Sequence, residues 1–392
     1  MSAKRFGRRK PSHVAGLIPV HIASLFAMAG IELLLPVLPI LQTALHLTER
    51  DIVLFTMAYL LPGVLVTLPA GVLADRFGTR RVLEIALAGM GVAGIGLALS
   101  RTLPLLLAFR IIQGFCGGAI APMTITLIGD LTSGTSQIRA QAHRSLLMTL
   151  GSAALPVIGG LAAAVHWSLP FALQGTALVL AGLILRVTPG TRPARKPRVV
   201  LRLTRPDSKV MAIHILSLLR FVVLYSFLTF LPLALARSGF SPVQVGMTLG
   251  GSAAVGAILA IFTNRMVRHV PPSSLLGVAL FVTGVGLAIL GFIPGTPGLI
   301  LGSLVFGAGD GLQGVLQNTF LTRVGSIESR GSIVAVAATA KNLGKLFGPP
   351  LILLLSRGVG TALAFAILGV GTMLGAAAAR PLRGADEAVL GS

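Results

Sequence analysis

The sequence predicts an all-α membrane protein, with twelve transmembrane helices in two pseudo-symmetric six-helix bundles and both termini cytoplasmic. Three observations carry this reading. Twelve long apolar runs divide the 392 residues, of which 54% are hydrophobic and only 11% charged. The basic residues gather in the segments between runs, and mostly in alternate ones. The second half repeats landmarks of the first at an offset of about 190 residues.

A helix needs about 20 apolar residues to cross roughly 30 Å of hydrocarbon. The runs fall at 17–45, 52–74, 82–99, 105–128, 143–165 and 170–187, then at 210–236, 244–264, 275–293, 299–322, 332–356 and 361–379. The first follows Lys4, Arg5, Arg8, Arg9 and Lys10, as the core of a signal peptide would. It is far longer than the roughly 7–15 residues of such a core, so it reads as a retained span. The connecting segments are short and rich in glycine, proline and polar residues, as in Pro294-Gly295-Thr296-Pro297-Gly298. Only 188–209 is long, basic and proline-containing, which makes it the expected cytoplasmic linker between bundles at 1–187 and 210–392.

The formal charge of +21 would suit a nucleic-acid partner if it lay on one soluble face. It does not. With the N-terminus inside, the inner segments hold 24 lysines and arginines, and the outer loops hold only Arg50, Arg101, Arg237 and Arg357. This positive-inside bias sets the orientation in a cell inner (cytoplasmic) membrane and accounts for the net charge without nucleic acid. The single cysteine, Cys116, and seven scattered histidines offer no disulfide framework and no metal site, and no cofactor is expected.

The repeat is visible in several places. Pro39 aligns with Pro232, Leu47-Thr48 with Phe240-Ser241, and Gly151 and Pro156 with Gly344 and Pro349 at identical spacing. Parallel six-span repeats imply a pseudo-twofold axis along the membrane normal, with a cavity between bundles.

Three segments carry motifs. Gly71-Val72-Leu73-Ala74-Asp75-Arg76-Phe77-Gly78-Thr79-Arg80-Arg81 lies between the second and third runs. Gly71 is expected to let helices approach, Gly78 to permit a tight turn, and the arginines to meet carboxylates. Arg110-Ile111-Ile112-Gln113-Gly114 lies in the fourth run, where an arginine must face protein or a wet cavity. The fifth run holds Gly151-Ser152-Ala153-Ala154-Leu155-Pro156-Val157-Ile158-Gly159-Gly160, and the eleventh a related Gly344-Lys345-Leu346-Phe347-Gly348-Pro349-Pro350. The first segment resembles the G-x-L-A-D-R-x-G-R-R loop of the major facilitator superfamily. The second resembles its R-x-x-Q-G-x-G segment, and the third its antiporter motif, with Leu155 where that motif has glycine. The resemblance covers nearly the whole chain and implies a monomeric secondary transporter working by alternating access. It makes the first loop a gating latch, with Asp75 facing the start of span eleven and its arginines, Arg76, Arg80 and Arg81, reaching Asp130. The second-half loop has Asn264 in place of the acid. Because proline bends helices and glycine lets them pack, Gly151, Pro156, Gly159, Gly160, Gly348 and Pro349 are read as helix-packing residues, with the antiporter motif as the functional alternative. Among the branches of the family the resemblance is to twelve-helix drug:proton antiporters.

Ionisable residues inside spans point to function. Two acids, Glu32 and Asp310, and four bases, Arg110, Arg220, Lys341 and Lys345, lie deep in the runs. Counting a rise of about 1.5 Å per residue puts Glu32 near the level of Arg110, and Asp310 nearer Lys341 and Arg220. Burial and a neighbouring cation act on a carboxyl in opposite senses, so Glu32 and Asp310 are the candidate proton-coupling residues, each with a permanently charged structural pair as the plain alternative. Lys341 and Lys345 share one helix face, and with Arg220 they favour a substrate with anionic character or hydrogen-bond acceptors. Arg110, Gln113, Tyr225, Gln313, Gln317, Asn318 and Asn342 are further candidate contacts.

No phosphate-binding loop, nucleophile elbow or H-E-x-x-H motif is present, so neither ATP-driven pumping nor an enzyme is expected. The expected activity is proton-coupled efflux of small amphipathic molecules or drugs. The alternatives are a metabolite carrier for sugars or organic anions, working as facilitator or symporter, and a non-transporting receptor on the same scaffold. The single tryptophan and two tyrosines count against a sugar cavity.

Overall fold

The computed structural model describes residues 16–188, 207–324 and 330–387. These residues are mostly helical, with no strand among them. The α-helices are α1 (Leu17–Ala29), α2 (Leu38–Ala44), α3 (Glu49–Phe77), α4 (Thr79–Leu99), α5 (Leu103–Leu131), α6 (Thr135–Val165), α7 (Leu169–Leu173) and α8 (Thr176–Val187). After them come α9 (Ser208–Arg237), α10 (Pro242–Met266), α11 (Pro272–Phe292), α12 (Gly295–Arg323), α13 (Arg330–Val359) and α14 (Thr361–Gly375). Short 3-10 helices occupy Glu32–Val37 and Ala376–Ala385.

Among the described residues, ten helices are long and apolar enough to cross a membrane, or eleven when the bent pair Leu17–Ala29 and Glu32–Ala44 is one span. The remaining long helix, α13, covers the expected eleventh span with 30 residues. Lys341, Asn342, Lys345 and the Pro349-Pro350 pair lower its hydropathy, which keeps it out of that set. Large apolar side chains such as Leu99, Val165, Val179, Ile261, Leu354 and Leu374 point outward. A water-soluble surface avoids such a coat, whereas lipid solvates it.

The structure corrects three sequence boundaries. The first span is not one continuous helix: it bends by 42° after Ala29, where Gly30 is followed by a 3-10 turn containing Pro36. Proline removes a backbone donor there, and the tighter turn accommodates the loss. The expected loop Pro294–Gly298 belongs mostly to α12, which starts at Gly295. Gly295 takes a φ of +80° at the turn, and Pro297 sits in the first helical turn, where its missing N–H has no intrahelical partner to lose. Helix α6 starts at Thr135, eight residues before the apolar run, and Arg144, counted with the cytoplasmic charges, is buried on it, with Nε donating to Thr124 Oγ1 on α5 at 3.2 Å.

By packing, the chain divides into two compact units: Met1–Ile31, Leu61–Gly151 and Ser168–Lys196 form one; Glu32–Leu60, Ser152–Trp167 and Pro197–Ser392 form the other. One change of unit falls within the expected linker 188–209, most of which lies outside the described residues, and the division also assigns Glu32–Leu60 and Ser152–Trp167 to the second unit. In the first unit α4 packs on α5 and α8, and α1 on α5. Val20, Leu83, Leu87, Met90, Ile120, Met123, Leu127 and Ile184 form its core. In the second, α12 packs on α10 and α11, α13 on α9, and α11 on α14.

Glycine sets the helix spacing in both units. Lipid is as apolar as leucine, so helices associate through close backbone approach rather than hydrophobic burial. In the first unit a Cβ on Gly118 would fall 2.3 Å from Gly63 O. In the second, a Cβ on Gly307 would fall 2.0 Å from Ser252 O, and one on Gly311 2.1 Å from Gly256 O. The motif glycines of α6 act in the same way: Gly159 lies against Leu33 O and Gly160 against Pro242 O, while Gly246 packs on Pro156 O. These contacts bind residues 152–167 and 32–60 to α10 and explain why both segments belong to the second unit.

Gly311→Ala therefore overpacks the α10–α12 contact and should cost about 1–3 kcal/mol. Gly182→Ala, where the added methyl meets open space, should leave stability unchanged. Size-exclusion profiles of the detergent-purified chain after graded heating will compare the two; equal profiles would remove glycine contact as the determinant of helix spacing.

Candidate functional site

The break in the first span sets up the buried polar network of the first unit. Where α1 ends, the carbonyls of Ala29 and Gly30 lose the donors that a continuing helix would supply, and lipid supplies none. Arg110 on α5 donates Nη1 to Gly30 O at 2.7 Å and to Gln113 Oε1 at 3.0 Å. Gln113 Nε2 donates to Gln174 Oε1, and Gln174 Nε2 donates to Ala29 O at 3.0 Å. All three side chains are buried. Arg110 and Gln113, expected as substrate contacts, are thus engaged in holding a broken helix. Gln174 escaped the sequence reading because a single uncharged amide at the α7–α8 junction belongs to no motif.

The proposed latch is also rearranged. Gly78 makes the tight turn between α3 and α4, with φ +92°. Gly71, expected to admit a neighbouring helix, faces open space. Asp130 is met by Thr79 Oγ1 at 2.9 Å rather than by an arginine. Arg80 Nε pairs with Glu84 at 2.6 Å, one turn along α4, and Nη2 donates to Leu185 O on α8. Glutamate four residues away on the same helix is simply the nearer acid. Asp75 and Arg76 are exposed. Residues 325–329, just ahead of the helix start that Asp75 was expected to face, lie outside the described residues.

The second unit brings the other ionisable residues together on three helices. On α12, Asp310, Gly314 and Asn318 recur every four residues and share one face. Arg220 on α9 forms a two-point ion pair with Asp310, Nε to Oδ1 at 2.7 Å and Nη2 to Oδ2 at 3.0 Å. Gly314 leaves the space that the guanidinium fills: a Cβ there would stand 3.0 Å from Arg220 Nη2. Helix α13 lies close against α9 because Gly344 and Gly348 sit on the backbone carbonyls of Leu218 and Val222. That approach brings the two α13 lysines to the same surface. Lys341 Nζ donates to Asn318 Oδ1 at 3.0 Å. Lys345 Nζ lies over the rings of Phe221 and Tyr225, 5.5 and 5.8 Å from their centroids.

Glu32 opens the 3-10 segment beyond the helix break, which packs against α9. Its Oε2 is buried without a hydrogen-bond partner. Among the described residues it forms no ion pair within the second unit. Glu32 and the buried Tyr59 are both within electrostatic reach of Tyr225. Gln313 and Gln317, expected to face substrate, occupy the adjoining face of α12. They are fully buried, donating to Thr283 Oγ1 at 2.5 Å and to Leu216 O at 3.2 Å. Asn342 is half-buried on α13. One sequence signal joins the two networks: Arg110-x-x-Gln113-Gly114 recurs 200 residues later as Asp310-x-x-Gln313-Gly314. The shared spacing does not make the positions equivalent, because the repeat landmarks, such as Gly151 and Gly344, are 193 residues apart and not 200.

Removing one partner of the Arg220–Asp310 pair strands a charge whose side chain is only 14–19% exposed. Arg220→Ala should destabilise by about 3–5 kcal/mol, while the paired change Arg220→Met with Asp310→Leu recovers most of that loss. Thermal unfolding of the purified full chain tests this. A single variant as stable as the unmodified chain would show that the pair has no structural role.

The fold has close counterparts among solved structures. A bacterial homolog of the human lysosomal transporter Spinster, solved in an inward-facing and unoccupied conformation, superposes with a TM-score of 0.78, covering 98% of each chain at 16% identity. A point mutant of the nucleoside transporter NupG gives 0.75 over 93% of this chain and 99% of that one, at 12% identity. By sequence, the quinolone resistance protein NorA of Staphylococcus aureus (strain MSSA476) is 26% identical over 329 residues, 82% of this chain and 84% of that protein. Multidrug resistance protein 1 of Bacillus subtilis (strain 168) is 24% identical over 342 residues, 85% and 87% of the two chains. The family model described as Major Facilitator Superfamily matches residues 20–349 and 213–390. Twelve-span repeat, apolar coat and family match agree: this chain is a multi-pass membrane transporter, not an enzyme, and it belongs to the Major Facilitator Superfamily.

Proposed function

We propose that the chain exports small amphipathic molecules, including drugs, in exchange for protons, by alternating access and as a monomer. The observation that carries the proposal is Glu32, a carboxyl with one oxygen buried and unpartnered at a break in a membrane helix, beside Tyr225. An ionised carboxylate in that setting lacks the hydrogen bonds that would offset its lost hydration, and a proton relieves the cost. A group that exchanges a proton as its surroundings change is what gradient coupling requires. Asp310 is the weaker candidate, because both of its oxygens are held by Arg220. We assign it the part of a fixed counter-ion.

The names borne by the two sequence relatives, quinolone and multidrug resistance proteins, support export and an amphipathic substrate. The nucleoside transporter among the structural counterparts supports the second reading, a metabolite carrier. In the proposed cycle, Glu32 takes up a proton on the outer side and releases it inside, while Asp75, Gly78 and Asp130 serve the cytoplasmic gate.

Proteoliposomes with an imposed pH gradient separate these readings, using a cationic dye, an organic anion and a sugar as probes. An amphipath should move against its own gradient with the unmodified chain, and Glu32→Gln should reduce that movement to the level of empty liposomes at normal expression. Undiminished uphill transport by Glu32→Gln, or transport of the sugar alone, would overturn the proposal.

A further inference from the structure

The lysines of α13 make a binding site of definite sign. Three cations, Arg220, Lys341 and Lys345, gather on the facing surfaces of α9, α12 and α13 with one acid, Asp310. That acid is spent: each of its oxygens accepts from Arg220. Among the described residues, neither lysine has a carboxylate within ion-pair distance. Lys341 has only the neutral amide of Asn318, and Lys345 only the faces of Phe221 and Tyr225. A lysine at membrane depth is expensive unless something compensates it, and a ring face does so only in part. The positions are also built rather than incidental. Gly344 and Gly348 bring α13 onto α9, and Gly314 seats the guanidinium that removes Asp310 from competition. What this surface lacks is an anion.

We infer that Lys341 and Lys345 form an anion subsite that takes the carboxylate of an amphipathic ligand, whose apolar body lies along the Phe221 and Tyr225 side of α9. The inference rests on the proposal above that this surface belongs to the substrate path, and adds the charge that the substrate carries. A carboxylate bound there gives no reason for Glu32 to lose its proton. An amine on the same ligand, set against Glu32, does, so the class that satisfies both poles bears a carboxylate and, for exchange, an amine.

The test is equilibrium binding to the detergent-purified full chain, with three probes that share one aromatic body: 2-naphthoate, its methyl ester and 2-naphthylmethylammonium. Naphthoate should bind the unmodified chain about tenfold more tightly than the ester, a modest charge-assisted preference. Lys341→Gln and Lys345→Gln should each reduce that preference, and the double change should abolish it, with ester binding unaltered. Lys345→Arg should retain it. The comparison of probes on the unmodified chain decides the matter even where a variant fails to fold. Equal binding of naphthoate and ester, tighter binding of the ammonium, or a preference that survives the double change would each overturn the subsite. Because binding is read without a gradient, naphthoate preference without uphill flux would sink the transport proposal and leave the subsite standing. Uphill flux without the preference would do the reverse.

Discussion

Lipid offers no hydrogen bond, and most of what is distinctive in this molecule follows from that lack. A continuous helix meets the constraint by satisfying its own backbone. The first span breaks, and its exposed carbonyls at Ala29 and Gly30 have to be met by side chains carried on other helices. Arg110, Gln113 and Gln174 do this as one connected network. Residues that look like substrate contacts because they are polar and buried are therefore structural first. The same logic places Gln313 and Gln317, whose amides bind Thr283 and Leu216.

The constraint has a second face in packing. Helices in lipid gain little from meeting leucine to leucine, so tight contact depends on glycine opposite backbone. The pairs Gly63–Gly118, Gly256–Gly311 and Gly284–Gly369 are contacts of this kind. Gly344 and Gly348 extend it to function, because the approach they allow is what carries the α13 lysines to the aromatic face of α9. Spacing, in this protein, is chemistry at one remove.

Charge completes the picture. Two deep acids have opposite surroundings: Asp310 is held at two points by Arg220, whereas Glu32 has a buried oxygen with no partner. Two groups of the same type are thereby set up for different work, one fixed and one able to change. The lysines, in turn, are left over from the ion pair that forms on their surface.

The sequence by itself determined the class of the molecule, the approximate positions of its spans, the repeat and most of the ionisable residues inside them, though not the buried Arg144. Each of these rests on local composition or fixed spacing, which a chain states directly. It also placed Gly78 at a turn, since a loop between two spans leaves few positions for a positive φ. What only the tertiary structure decided was partnership. Among the described residues, Asp130 takes Thr79 and not an arginine; Gln113 takes Gln174; Asp310 takes Arg220 and leaves both lysines; Glu32 keeps one buried oxygen without a partner. Depth along a helix says which residues share a level, but rotation about the helix axis says which of them meet. That rotation is set by where glycines let backbones touch, and in the first span by the 42° bend between Leu17–Ala29 and Glu32–Ala44.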